Sequence, residues 1–241
     1  MIGLIGKKIG MTQLFKQDGE RVPVTLIAVG PCPILQIKKH DSEGYTALQI
    51  GFNEKSEKRT NKPLKGHFKK SGAKPVAVIR EIRLSSVDSY KEGQVLEVDQ
   101  FHPGDLVDIS GLTIGKGFQG GMKKWGWGGG RKTHGSMHHR APGSIGASSF
   151  PSRVTKGHQM PGRMGGVQRT VQHLEVIKVD KEKHIMAVKG SIPGNGSSYL
   201  MVRNSKKIDT KHAKKTQAEQ QDKTQEAKKG GQKKDEKAKK K

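Results

Sequence analysis

Between Asp108 and Glu175 the sequence holds no aspartate or glutamate. Acidic residues are 22 of 241 overall, so a random window of that length would carry about six. Ten cations lie within it: Lys116, Lys123, Lys124, Arg131, Lys132, Arg140, Arg153, Lys156, Arg163 and Arg169. Most are separated by glycines, and no side chain nearby can neutralise them, so the negative charge must come from outside the chain.

Other scarcities narrow the classes further. A single cysteine, Cys32, excludes an internal disulfide framework and a thiolate zinc cluster, and its place between Pro31 and Pro33 reads as a turn or strand-edge residue, not a nucleophile. No apolar run reaches the length of a membrane span, and the first 15 residues carry lysines inside their apolar stretch instead of before it. Neither a spanning helix nor a signal peptide is expected, which predicts a cytosolic protein that does not engage a membrane. Only 31% of residues are hydrophobic, against roughly 45–50% in ordinary domains, so any core must be local.

What is abundant is positive charge. A net charge of +24 makes the isolated chain repel itself, and nucleic acid is the commonest polyanion that relieves this. Enzyme motifs fail on inspection. GWGGGRKT at 126–133 has Arg131 where a phosphate-binding loop needs its second glycine, and no apolar strand leads into it. His134 and His138 stand four apart, but position 135 is glycine where a zinc protease needs glutamate, and no carboxylate or thiolate lies close in sequence to complete a metal shell. A carboxylate pair for acid–base work is missing from the region that looks functional. The expectation is a protein that is not an enzyme, with no cofactor, metal or small-molecule substrate.

Along the chain, short apolar and β-branched runs alternate with turn residues up to about position 110. The pattern predicts strands at 22–29, 34–39, 46–52, 76–84, 94–98 and 106–109, with turns at 17–19, 42–44 and 91–93. KPLKGHFKKS at 62–71 breaks the rhythm and predicts a short helix opened by Pro63, with Lys65, Lys69 and Lys70 on a cationic side and Gly66 weakening it. The strand pattern returns at 170–179, 184–189 and 198–203. Neither set of strands suffices for its own core, so residues 1–114 and 170–204 are expected to close one β-barrel, with 115–169 inserted as a long irregular basic loop. From 205 to 241 there are 14 lysines, six acids and a single large aliphatic residue. That composition predicts a disordered lysine-rich tail, read either as a polyanion tether or as a solubilising extension.

The inserted stretch reads well as an RNA-contacting arm. Arginine forks and lysine ammoniums neutralise phosphates, and glycines bring the backbone N–H groups close. Trp125, Trp127, His134, His138 and His139 add flat faces. For the tryptophans two readings stand level: stacking on RNA bases, or anchoring the base of the arm against the barrel. A long irregular loop suits the uneven grooves of folded RNA better than a regular DNA duplex. The competing reading is a general nucleic-acid chaperone or DNA-compacting protein that binds any polyanion without a fixed site.

MIGLIGKKIGMTQLF at 1–15, GLTIGKGFQGGMKKWGW at 111–127 and THGSMHHRAPGSIGASSFPSRVTKGHQMPGRMGG at 133–166 closely resemble the bacterial form of the large-subunit ribosomal protein three family. Phe101, Asp108, Gly111, Thr113, Gly115, Lys116, Gly117 and Gly120 fall at the family's signature spacing, and Lys124 stands where an arginine is usual. The resemblance implies a translation-factor-like β-barrel that binds near the 3′ end of 23S-type rRNA and nucleates assembly of the large ribosomal subunit. It implies a loop reaching toward the peptidyl-transferase centre, and large-subunit proteins fourteen and nineteen as neighbours, in the cytoplasm. Lys7 and Lys8 join the expected rRNA-binding set with the arm's cations and rings. Ala147, Ser148 and Ser149 match the far end of the loop, where bacterial relatives often carry a methylated glutamine that this chain lacks.

Overall fold

The computed structural model describes residues 3–205 and 207, and the fold set out below is the unit that ends at Asn204. Strand β1 (Gly3–Phe15) turns into β2 (Arg21–Val29) at Gly19, which takes φ 76° and donates its N–H to the Lys16 carbonyl at 3.0 Å. After β3 (Cys32–Lys38) a helical turn α1 (His40–Glu43) leads to β4 (Ala47–Glu54). Helix α2 (Lys62–Ser71) follows, opened by Pro63 and stopped by Gly72 in the left-handed region. Then come β5 (Val76–Arg83), the two-residue β6 (Val95–Leu96) and β7 (Leu106–Leu112). Within the basic stretch lie β8 (Phe118–Gln119), a short helix α3 (Gly121–Trp125) and β9 (Gly162–Arg163). The unit ends with β10 (Gln168–Asp180), β11 (Ile185–Lys189) and β12 (Tyr199–Asn204).

Six strands close a barrel in the order β1-β12-β7-β10-β11-β2, every neighbouring pair antiparallel. Strands from before and after the basic stretch thus share one sheet, and the protein is mainly β as expected. Leu4, Ile5, Ile27, Val29, Val107, Ile109, Val176, Met186, Val188, Leu200 and Val202 fill the barrel and are almost fully buried. Their burial, at about 25 cal/mol per Å² of apolar surface, is the main force holding so polar a chain together.

Two features depart from the sequence expectation. Strand β1, one of the two longest, was not among the expected strands, because its glycines and Lys7-Lys8 pair are poor strand formers. Gly6 is needed there: a side chain would come within 2.8 Å of Ile27 Cγ2 and 2.9 Å of the Ala28 carbonyl on β2. The second departure is that β3, β4, β5 and β6 stay out of the barrel and form their own sheet, ordered β5-β4-β3-β6. Gly30, at φ 74°, turns the chain out, and Pro31 and Pro33 have no N–H with which to continue the ladder. The predicted strand at 94–98 shrinks to the two residues that pair with Cys32 and Pro33. This sheet's Ile34, Leu48, Ile50, Phe52 and Ile82 belong to the same continuous core as the barrel.

Cys32 is fully buried, its thiol 3.5 Å from the Ile5 carbonyl, and burial pushes that thiol up to about 12. The expectation for the lysine-rich tail falls outside the described residues, apart from Ser205 and Lys207.

Candidate nucleic-acid interface

The arm leaves the barrel at the end of β7 and returns at the start of β10. These strands are neighbours, with Leu112 opposite Gln168, so the excursion begins and ends at one place. Beyond the barrel the two legs keep pairing as a short stem. Thr113 N–H donates to the Val167 carbonyl at 3.0 Å, Lys116 N–H to Met164 O at 2.9 Å and Met164 N–H to Gly117 O at 2.9 Å. The pairing continues where β8 meets β9, with Phe118 opposite Arg163.

Below the stem a buried carboxylate ties the roots. Asp108 on β7, 8% exposed, accepts a hydrogen bond at 3.1 Å from the N–H of His173, which sits at φ 59° where the register of β10 shifts. An extra residue in one strand bends it, and a side-chain acceptor satisfies the N–H the bend takes out of the ladder.

Past the stem, α3 positions both tryptophans. Trp125 donates its indole N–H to the Met160 carbonyl at 2.8 Å on the returning leg, and Lys124 Nζ lies 5.2 Å from the Trp125 ring centroid. Trp127 folds back so closely over Gly121 that any side chain there would collide with its ring. The two rings therefore brace the arm's own legs, a third arrangement beside the two expected ones. Trp125 keeps 44% of its surface exposed, leaving one face open.

From 128 to 161 nearly every residue is exposed. Apart from the Trp125 bond to Met160, the side-chain and backbone bonds here are local: Gly130 N–H to His139 O at 3.2 Å, Ser144 Oγ to Gly146 O at 3.1 Å, and Ser152 Oγ to the Ser149 carbonyl. Ala147, Ser148 and Ser149 sit in this exposed part.

The expected contact residues separate into groups. Lys116, Lys123, Arg131, Lys132, Arg140, Arg153, Lys156, Arg163 and Arg169 are exposed, as are His134, His138 and His139; Lys124 and Trp127 are half-buried. Among the described residues no arm cation is paired with a carboxylate; the ion pairs, such as Lys38–Glu81, Lys181–Asp99 and Lys189–Glu175, lie elsewhere. Lys7 is half-buried on β1. Lys8 is turned inward: it is 9% exposed, and its ammonium donates to the carbonyls of Ile192 at 3.0 Å and Gly194 at 2.9 Å. It holds the turn before β12 and is remote in role from the arm.

Sequence reasoning passed over two rings. Phe118 is 76% exposed and Phe150 is 88% exposed, both inside the carboxylate-free window. Aromatic rings left in water on a cationic arm offer faces for base stacking. The signal was available, but it was sought only in tryptophan and histidine. Among the described residues no group of three or more His, Cys, Asp or Glu is placed to hold a metal, and no helix is long and apolar enough to cross a membrane.

A family model described as Ribosomal protein L3 matches residues 82–185, which take in the whole arm and both roots. Over 205 residues the chain is 48% identical to the large ribosomal subunit protein uL3 of Geobacter sulfurreducens, covering 85% of this chain and 98% of the relative. It is 48% identical over the same length to that of Geotalea daltonii, covering 97% of the relative. The uL3 protein of Carboxydothermus hydrogenoformans is 47% identical over 205 residues, 98% of its length.

Proposed function

The chain belongs to the ribosomal protein L3 family, and from that premise we propose how its barrel and arm serve as a structural constituent of the large ribosomal subunit. The family is a structural component of the ribosome and not a classical enzyme, and association with large-subunit rRNA follows from membership. The finer reading is that the exposed arm cations neutralise rRNA phosphates, the barrel seats the protein near the 3′ end of 23S-type rRNA early in assembly, and residues 115–169 pass between RNA segments toward the peptidyl-transferase centre. Ala147, Ser148 and Ser149 would form the far end, and the protein would work within cytoplasmic ribosomes.

One observation carries this reading: an arm of ten cations, nine of them exposed and none with a carboxylate partner among the described residues, mounted on a paired stem at a single point of a closed barrel. A duplex-coating protein has no use for such a mounting, whereas folded RNA offers internal channels that a thin arm can enter. Phosphate contacts position, and exposed Phe118, Phe150 and the open face of Trp125 stack. On the body, exposed Ile9, Met11 and Phe15 along β1 give an apolar surface suited to a neighbouring protein, for which the family resemblance suggests large-subunit proteins fourteen or nineteen.

The test is binding of the full chain to large-subunit rRNA over a salt series, with excess duplex DNA as competitor. If about ten phosphates are neutralised, log affinity falls against log salt with a slope near −9, and neutralising Arg153, Lys156 and Arg163 makes it shallower by about three. Retention of rRNA against the competitor is expected. Loss of rRNA to duplex DNA, or affinity indifferent to salt, overturns the reading.

A further inference from the structure

A second cationic surface lies on the body, outside the arm. Residues 55–74 carry eight lysines and arginines against one glutamate, Glu57. Only Lys74 among these cations is paired with a carboxylate among the described residues, to Glu54 at 3.3 Å. This segment belongs to the β5-β4-β3-β6 sheet side of the molecule: α2 buries Phe68 against Leu35 and Val76, and the arm is rooted on the barrel strands β7 and β10.

The helix sorts its residues sharply. Phe68 and Ser71 face the protein. Lys62, Lys65 and Lys69 fall at i, i+3 and i+7 on the opposite side, with Lys70 at the edge of the same stripe, and all four are exposed. Seven residues of helix span about 10 Å, so the stripe presents three ammonium groups at intervals of about 5 Å. Lys65 and Lys69 are like charges one turn apart, an arrangement that weakens a helix standing alone in water.

Gly66 supplies an independent observation. It lies in the middle of this stripe, where glycine weakens the helix. No conformational need accounts for it, since it is not among the glycines with positive φ, and no packing need does either, since a side chain there would meet nothing within 4 Å. A bare backbone flanked by lysines lets a phosphodiester chain lie close against the helix.

We propose that the Lys62–Lys65–Lys69 face of α2, centred on Gly66, is a second RNA-binding surface that takes the phosphate backbone of a double-helical rRNA segment distinct from the one that holds the arm. Double-stranded RNA is recognised through phosphates and riboses and not through base edges, which suits a surface with cations and no exposed ring. The inference rests on the reading of the chain as an rRNA binder and adds where on the body a second contact is made. It gives the protein two grips, one on a thin arm and one on a rigid helix.

Footprinting of the full chain on protein-free bacterial 23S-type rRNA tests this. Wild type is expected to protect two separated sets of nucleotides. Replacing Lys62, Lys65, Lys69 and Lys70 together by glutamine should erase one set, leave the other, and make the salt slope shallower by about three to four. The same four positions changed to arginine should keep both sets. Gly66→Leu should raise thermal stability, as a better helix former, while weakening the same footprint, a pairing that a purely structural role for Gly66 does not produce. Both footprints surviving in the glutamine variant, or one lost equally in the glutamine and arginine variants, overturns the inference and leaves the arm reading intact. Absence of any footprint in wild type overturns the rRNA-binding reading itself.

Discussion

The Asp108 carboxylate and the His173 backbone N–H, 65 residues apart in sequence, meet at 3.1 Å beneath the arm. One belongs to the strand from which the arm departs and the other to the strand it rejoins, so this hydrogen bond bridges the two strands where their ladder is interrupted. It also gives Asp108, a position of the family signature, a physical task.

Asp108→Ala is therefore expected to destabilise the barrel by about 1–3 kcal/mol, because it leaves a bent strand with an N–H that has lost its acceptor. Asp108→Asn keeps an acceptor oxygen and should cost less. Urea unfolding of the full chain measures both, and equal losses in the two variants would contradict the assignment.

Lys8 separates stability from binding. Lys8→Met retains the aliphatic stem and removes the ammonium that two carbonyls share, at a cost of about 2 kcal/mol. Its rRNA affinity should keep the wild-type salt slope, since the ammonium faces the protein. A slope shallower by one or more would return Lys8 to the phosphate contacts.

Hydrogen exchange of the RNA-free protein should divide the arm in two. The amides of Thr113, Lys116 and Met164 pair across the stem and should be protected, whereas 131–157, whose bonds are few and local, should exchange fast. Strong protection there without RNA would mean that the arm holds its shape unaided.

On the separate sheet, Lys38, Tyr45 and Glu81 form a closed triangle. Lys38 Nζ donates to the Tyr45 hydroxyl at 2.9 Å and lies 3.0 Å from Glu81, to which the Tyr45 hydroxyl also donates at 2.9 Å. The Lys38 hydrogen bond holds the Glu81 carboxyl below its ordinary value, against the opposing effect of burial. Tyr45 first, and then Glu81, hold the Lys38 ammonium above its own. A depressed carboxylate contributes stability that is present above its unfolded pKa and lost as pH falls through the folded one; a raised lysine contributes stability lost as pH rises through its folded pKa. The stability difference between wild type and Glu81→Gln should thus be full near neutrality, shrink below about pH 4.5 and shrink again above about pH 10.5. Denaturation midpoints across pH read it, and a gap that stays constant into acid removes the triangle from the account.

Much of this was legible in advance for identifiable reasons. β2, β5 and β11 are rich in β-branched residues, β4 is a short run of mostly apolar residues, and α2 opens on a proline and closes before a glycine; those signals are local. The arm announced itself through missing carboxylates, a property of composition alone. What failed to show was pairing. Nothing within residues 3–15 says that Gly6 must admit Ile27, nor does the spacing of β3 to β6 say that they leave the barrel. Of two adjacent lysines, Lys8 turns inward because strand side chains alternate, and only the finished barrel settles which side is inside. Trp125's brace on Met160 likewise depends on the returning leg of the arm.

The barrel closes where β1 pairs with β12, the first strand of the unit with the last, Gly3 opposite Arg203. A chain made from its amino end must therefore reach Asn204 before that seam can form. Residues 115–169 are complete well before then, so during synthesis the arm's cations meet solvent while the first strand still has an unpaired edge. Nascent chains thus present their cationic segment ahead of their rigid body, and closure of the seam follows once β12 is made.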